Sequence, residues 1–443
     1  MLWSTFLLAL PLIHAASIPQ KYDSHDHSHD VKKRLPTAWH LPRDHPVQSL
    51  FKRGPDDGTP YPPVGSPTWS SAFPKSSPDV SQLPQPWVDA LNAAVSAGKI
   101  PNIPQSTNTP GVNPVYPNGL NPNSPEICSA TYKCRNTGDI WDAPDGYFGI
   151  SFDDGPTFAT PKLLQFLDAN NETATHFMIG VNILQNPQLF LDTFNSDNDI
   201  AVHTWTHPYM TTLSNLEVVA QLGWTSEIIR NSTGGRVPRY WRPPFGDSDN
   251  RVRAIAKEVF GLETVIWNQD TEDWSLTTGG TTPEKVQASL TQWLTGPKVP
   301  GLVILEHEVS DQSVQAFIAG YPLIKPNGWK TDSLAQLVGD SVYQNSKDGA
   351  SPVTFDGILA SSVPSESPSS SSSSSSDTTS SDTTSSDTTS ETQSSQSHSS
   401  QPTQTTTQTA GGLQASTTSN SAILSREGSW TLLALVIAAA LSA

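Results

Sequence analysis

The sequence predicts an α/β domain over residues 126–345, built as an open or distorted (β/α) barrel. Three observations predict it. Short apolar runs alternate with segments of helical spacing. Caps and first-turn prolines separate them. Reactive side chains fall just after the apolar runs, and barrels of parallel strands place their chemistry at those carboxyl ends.

The elements follow in order. GYFGISF (146–152) reads as a buried strand, and Thr160-Pro161 as an N-cap and first-turn proline opening a helix with Leu163, Leu164, Phe166 and Leu167 on one face. ATHFMIG (174–180) is the next strand, NPQLFLDTF (186–194) the next helix and DIAVH (199–203) a third strand. Ser214-Asn215-Leu216-Glu217 is a capping box that opens a helix running to about Asn231. RYWR (239–242) and ETVIWN (263–268) read as short strands separated by a helix near 249–259. Thr282-Pro283 caps another helix, GLVILEH (301–307) is a buried strand, and SLAQLVGD (333–340) is a closing helix. Repeated strand–helix units imply a parallel sheet with right-handed crossovers.

The remainder of the 443 residues is of other character. Only 35% of the chain is hydrophobic, against about 45–50% in an ordinary globular protein. Net charge is −17, which excludes a nucleic-acid binder held by phosphate contacts and argues against an acidic polymer as ligand. Two cysteines exclude a disulfide scaffold and a cysteine-rich zinc protein.

Residues 1–16 are apolar, end in small residues and read as a secretory signal. Residues 17–53 hold His25, His27 and His29 in a polar setting and end at Lys52-Arg53, a dibasic pair that suggests a pro-segment. Residues 54–125 are rich in proline and expected to be mostly extended, save WVDALNAAVSAGKIP (87–101), whose Trp87, Leu91, Ala94 and Val95 have helical spacing suited to docking. A linker covers 346–364. Residues 365–420, nearly all Ser, Thr, Asp and Gln, cannot bury enough surface to fold and read as an O-glycosylated stalk. Residues 421–443 combine a polar spacer with an apolar tail too short for a stable span. With the small triplet 420–422 they resemble a GPI-attachment signal, with Asn420 as the attachment residue. A secreted, surface-anchored protein is therefore expected. In that oxidising setting Cys128 and Cys134 should pair with each other. Asn171 and Asn231 head N-glycosylation sequons.

The reactive residues cluster by position. Asp153-Asp154-Gly155-Pro156 follows the first barrel strand; alone, it is equally a turn. His203-Thr-Trp-Thr-His207 follows the third, a spacing that lets two imidazoles reach one metal. Arg242-Pro-Pro-Phe245-Gly, then Asp270 with Asp273 and Trp274, and finally His307 occupy later strand ends. Of the four histidines between 126 and 345, only His176 does not fall at such an end.

SFDDGP, HTWTHP, RPPFG, DTEDW and VILEH resemble, in order, the five motifs of the polysaccharide deacetylase (NodB-homology) family, the fourth carbohydrate esterase family, which includes fungal chitin deacetylases. The resemblance covers roughly 145–340. Ser151 stands where the family usually has Thr, and Phe245 where it often has Tyr; neither removes a reactive group. The resemblance implies a distorted, incomplete (β/α)7 barrel.

It also implies roles. Asp154, His203 and His207 would hold one divalent ion, zinc being the expected metal and cobalt an alternative. Asp153 would be the general base, oriented by Arg242, and the backbone N–H of Phe245 the oxyanion donor. His307 would protonate the leaving nitrogen, oriented by Asp270, with Asp273 as the weaker candidate. Leu305 and Trp274 would line an acetyl pocket. Trp205, Tyr209, Trp224, Trp241 and Trp267 are candidates for stacking on sugars. The expected activity is deacetylation of chitin to chitosan and acetate by a monomer with no protein or nucleic-acid partner. An O-acetyl esterase acting on xylan and a non-catalytic chitin-binding wall protein are the alternatives.

Overall fold

A computed structural model of the chain describes residues 56–360. The signal, the pro-segment, the stalk, Asn420 and the tail lie outside the described residues.

The elements, in chain order, are α1 (Pro67–Ser71), α2 (Gln85–Ser96), β1 (Thr107–Thr109), β2 (Val112–Val115), β3 (Tyr147–Gly155), α3 (Thr160–Asn170), β4 (Thr175–Met178), α4 (Gly180–Gln185), α5 (Pro187–Asn195), β5 (Asp199–Val202), α6 (Asn215–Ser232), β6 (Tyr240–Trp241), α7 (Asn250–Phe260), β7 (Glu263–Thr264), β8 (Gln269–Asp270), α8 (Pro283–Leu294), β9 (Ile304–Leu305), α9 (Asp311–Gly320), β10 (Lys330–Ser333) and α10 (Leu334–Leu337). Six strands form one parallel sheet in the order β10-β3-β4-β5-β6-β7, and β8-β9 form a second parallel pair. The sheet curls. Bridges Phe148–Leu302 and Asp153–His307 set the β9 segment parallel to β3, and Ile140–Val265 extends the far edge. The result is a distorted, incomplete barrel, as expected.

The helices form where the caps lie. Ser214 accepts from Glu217 N–H while the Glu217 carboxylate accepts from Ser214 N–H, the full capping box at the head of α6. Thr282 caps α8 with Pro283 in its first turn. Thr160 does not cap α3: Ala159 holds that position, and the Thr160 hydroxyl is engaged elsewhere.

Several elements depart from expectation. Of ETVIWN only Glu263–Thr264 forms a strand, β7, while β8 begins just past it at Gln269, and an extra helix, α4, follows β4. The closing helix shrinks to α10, because Lys330–Ser333 pairs with β3 as a strand. Helix α9, capped by Ser310, carries only Val314 and Phe317 as large buried side chains, too few to stand out as an apolar face in the sequence.

The proline-rich extension is largely irregular and its expected helix docks, but it packs more widely than that helix alone. Trp69, Phe73, Trp87 and Leu91 are buried in the same core as α6 and α7. The Trp87 ring meets Trp224 edge-on at 5.0 Å and Phe260 at 6.0 Å. Gly223 admits it: a Cβ there would lie 2.6 Å from the indole. Trp69 donates from Nε1 to Ser232 Oγ at 3.0 Å. Trp87, Leu91 and Ala94 point inward as the helical spacing requires, whereas Val95 is exposed. The expected linker also packs, with Ile358 buried and Ala360 N–H donating to Val259 O at 2.9 Å. A second core joins β3, α3, α8 and α9 through Phe152, Leu163, Leu290 and Phe317. Cys128 and Cys134 form a disulfide.

Candidate active site

Strand β3 ends in Asp153 and Asp154, and the ladder to β4 is irregular between Asp153 and Gly155. Asp154 has φ 73°, Thr204 62°, His207 60° and Phe245 58°. Left-handed backbone at non-glycine residues costs of order 1–3 kcal/mol and persists only where surroundings hold it. Here the four residues stand at or just past the ends of β3, β5 and β6, strands of one parallel sheet. Asn182 Nδ2 donates to Asp154 O at 2.9 Å, and Thr204 Oγ1 accepts from His207 N–H at 3.0 Å.

One carboxylate oxygen and two imidazoles meet there. Asp154 Oδ1 lies 3.3 Å from His203 Nε2 and 3.2 Å from His207 Nε2. Burial favours the neutral acid, yet the imidazoles of His207 and His203 outweigh it and hold the Asp154 carboxyl well below its usual range. Asp153 is buried beside them. Arg242 Nη1 donates to its Oδ1 at 2.6 Å, and Nη2 donates to Ser151 Oγ at 3.1 Å. Arg242 is fully buried against the Phe177 ring, 4.1 Å from its centroid. The serine that replaces the family's threonine thus keeps the hydroxyl that Arg242 uses.

His307 is held by Asp273, not by Asp270. Its Nδ1–H donates to Asp273 Oδ1 at 2.6 Å and its backbone N–H to Oδ2 at 2.8 Å. The reason is local. Asp270 turns its carboxylate onto Glu272 N–H at 2.9 Å, and Glu272, with φ 57°, reverses the chain and delivers Asp273. Burial opposes a charge on His307. The carboxylates of Asp273, then Asp154 and Asp153, outweigh it and push the imidazole up to about 10.

The aromatic candidates separate by burial. Trp205 is fully buried, donating from Nε1 to Ser76 O, and is core rather than a sugar platform. Trp241 is likewise core, Trp267 is nearly so, and Trp224 packs on Trp87 and Phe73. Leu305 is buried and Trp274 is 46% exposed, as a pocket wall and rim would be. Tyr209 stacks on Phe245 with centroids 4.0 Å apart, and the Phe245 edge meets His207 at 4.6 Å. Residue-level reading missed Phe158, 72% exposed just past the Asp153–Asp154 turn. It also missed Asp247, which accepts from Thr211 N–H at 2.8 Å and so ties the Phe245 turn to the loop after His207. Asn171 is exposed in a left-handed C-cap, and Asn231 is half-buried near the end of α6.

Residues 142–265 match the model of the polysaccharide deacetylase family. A chitin deacetylase 3 of Cryptococcus neoformans is 41% identical over 345 residues, 76% of this chain and 81% of the relative. The chain belongs to the polysaccharide deacetylase family. A chitin deacetylase 1 of Saccharomyces cerevisiae is 36% identical over 240 residues, 54% of this chain and 75% of the relative. The solved chitin deacetylase of Colletotrichum lindemuthianum is 25% identical, with a TM-score of 0.43, covering 47% of this chain and 97% of that one.

Polysaccharide deacetylases are metal-dependent as a family, and the donor set here fits a divalent ion. Asp154, His203 and His207 each present a ligand atom, all within 4.8 Å of one another. His203 Nδ1 lies 2.7 Å from Arg242 O, a pure acceptor, so the proton sits on Nδ1. That leaves Nε2 as the nitrogen that faces the Asp154 carboxylate at 3.3 Å. Either a proton or a metal ion must lie between that nitrogen and the carboxylate, and one divalent ion would serve both imidazoles at once. Two imidazoles and one carboxylate are a donor set that suits a divalent transition-metal ion.

Proposed function

We propose that this deacetylase is a metal-dependent chitin deacetylase, which hydrolyses the acetamide of N-acetylglucosamine units to a free amine and acetate. The observation that carries the reading is the ligand cluster Asp154–His203–His207, flanked by a buried Asp153–Arg242 pair and an Asp273–His307 pair. The names of the fungal relatives support chitin as substrate.

An acetamide is a weak electrophile with a poor leaving group. A bound divalent ion supplies Lewis acidity, polarising the carbonyl and lowering the pKa of water. The chain's own residues do the rest. Asp153, paired with Arg242 and aimed by it, takes the proton from the attacking water. Oxygen adds to the carbonyl carbon, and the N–H of Phe245 donates to the developing oxyanion. The C–N bond then breaks, and protonated His307 delivers its proton to the departing nitrogen. Asp273 sustains that protonated form. Leu305 and Trp274 bound the methyl group. The composition of 1–16, 365–420 and 421–443 supports placing the enzyme at the cell surface on a GPI anchor at Asn420.

The test measures acetate released from chitin oligomers and from acetylated xylan, before and after chelation and after zinc or cobalt is restored. Zinc-restorable release from chitin oligomers is expected. Release from xylan alone would make the protein an O-acetyl esterase, and full activity after complete metal removal would end the metal-dependent reading.

A further inference from the structure

His176 and Glu308 form a buried pair that the chemistry above does not use. Both are fully buried. His176 Nδ1–H donates to Glu308 Oε1 at 2.7 Å. Glu308 Oε2 accepts from the Thr160 hydroxyl, which itself accepts from Thr157 N–H at 2.8 Å. The Thr157 hydroxyl donates to the Glu308 carbonyl, and Glu308 N–H donates to Asp153 O at 3.1 Å. The Glu308 carboxylate also fills the space over Gly155: a Cβ there would lie 2.1 Å from Oε1.

These contacts share one address. Glu308 touches residues 153, 155, 157 and 160, the whole turn that leaves β3. Asp154 sits inside that turn with a strained φ of 73°, which its surroundings must over-determine. Glu308 is also the residue after His307. It therefore fixes the turn that carries base and ligand to the strand that carries the acid. His176, on β4, anchors the carboxylate from the adjacent strand.

We infer that Glu308, fixed by His176, is a positioning residue that holds the Asp154-bearing turn in its ligating conformation. The inference rests on the proposed metal-dependent reading. A buried pair that served only to stabilise the fold would not need to place its threonine and glycine contacts on the stretch directly after Asp154.

The experiment compares the full protein with Glu308→Gln and Thr160→Val. Glutamine keeps the shape but offers one acceptor where two donors converge. Valine removes only the hydroxyl relay. Three quantities are read: melting temperature, zinc dissociation constant by chelator competition, and kcat and KM on chitin oligomers. Partners that orient a ligand are worth about 10–100-fold in metal affinity. Glu308→Gln should weaken zinc binding by about that factor and lower kcat with KM unchanged. Thr160→Val should do the same to a smaller degree. Wild-type zinc affinity and kcat in both variants, with only a lowered melting temperature, would overturn the inference. Should Glu308→Gln fail to fold, Thr160→Val decides by the same criterion. A wild-type protein that neither binds zinc nor releases acetate would instead remove the proposed function, and this inference with it.

Discussion

Asp273 grips His307 with both carboxylate oxygens, one on the ring at 2.6 Å and one on the backbone at 2.8 Å. The bidentate contact fixes the imidazole's position and its charge together. Asp270, three residues earlier at the end of a strand, turns its carboxylate onto Glu272 N–H and acts on His307 only as a nearby charge.

The pH dependence follows. His307 is raised from an ordinary 6.5 to about 10, so its proton is present across neutral pH and is lost only as pH rises through about 10. The stability it contributes has the same sign: full below about 6.5, lost through about 10. Asp273→Asn removes the main favourable charge, so the alkaline limb of the pH–kcat profile should move toward neutrality. Activity at pH 8 should fall by more than about 10-fold, within the range for a general acid. Asp270→Asn should move the limb much less than Asp273→Asn does. The reverse pattern would restore Asp270 to the orienting role.

Base and ligand separate on metal content. His203→Ala and His207→Ala remove one of three ligands and should lose zinc and activity together. Asp153→Asn leaves the ligand set intact and should retain zinc while activity falls about 10²–10⁴-fold. Metal analysis beside acetate release checks this; loss of zinc in Asp153→Asn but not in Asp154→Asn would exchange the two aspartates.

Exposure decides between aromatic roles. Trp274 is 46% exposed and Trp205 fully buried. Trp274→Ala should raise KM on chitin oligomers with little change in melting temperature. Trp205→Ala should lower the melting temperature, leaving KM in the surviving folded protein unchanged. A raised KM from Trp205 alone would contradict the assignment.

The extension is part of the folded unit. Trp87→Ala should cost about 3–5 kcal/mol, the usual effect of truncating a buried aromatic. Urea unfolding with matched m-values measures it. A change below about 1 kcal/mol would mean that the extension contributes little to the core.

Asp199 gives stability a second pH dependence. It is buried at the start of β5, accepting from Ser333 Oγ at 2.6 Å and Gln336 Nε2 at 3.1 Å. Burial raises its carboxyl from 3.8 to about 7, with Asp332 and Asp348 adding to the effect. The fold therefore prefers the protonated form. Its contribution is full below about 3.8 and lost as pH rises through about 7. Asp199→Asn mimics the protonated form and should raise the melting temperature at pH 8 relative to pH 5. A uniform destabilisation at both pH values would refute this.

Much of this protein is legible in its residues alone. Apolar runs and caps locate β3, β4, β5, α6, α7 and α8, because strand burial and helix capping are written in contiguous residues. The place of the candidate site is legible for the same reason: Asp153, Asp154, His203 and His207 stand at the ends of predicted strands, and parallel strands deliver their ends to one face, whereas the choice of Asp154 over Asp153 as ligand came only with the family resemblance. The two cysteines leave each other as sole partners.

Tertiary structure decided the remainder. Lys330–Ser333 is polar and became a strand only because β3 offered a paired edge. The proline-rich extension reads in sequence as mostly extended apart from one docking helix, and only the fold shows that Trp69 and Phe73 as well as Trp87 enter a core that lies more than a hundred residues later in the chain. The choice of Asp273 over Asp270 turned on a left-handed residue between them. Trp205 and Trp274 are the same residue type, and only packing buries one and exposes the other. The grip of Glu308 on the Asp154 turn joins residues about 150 apart in sequence, a distance at which local pattern carries no information. Sequence by itself determined which chemical groups are present and which strand ends carry them, since that depends on short-range periodicity. Only the fold determined their partners, burial and charge, since those depend on what the curled sheet brings beside each one.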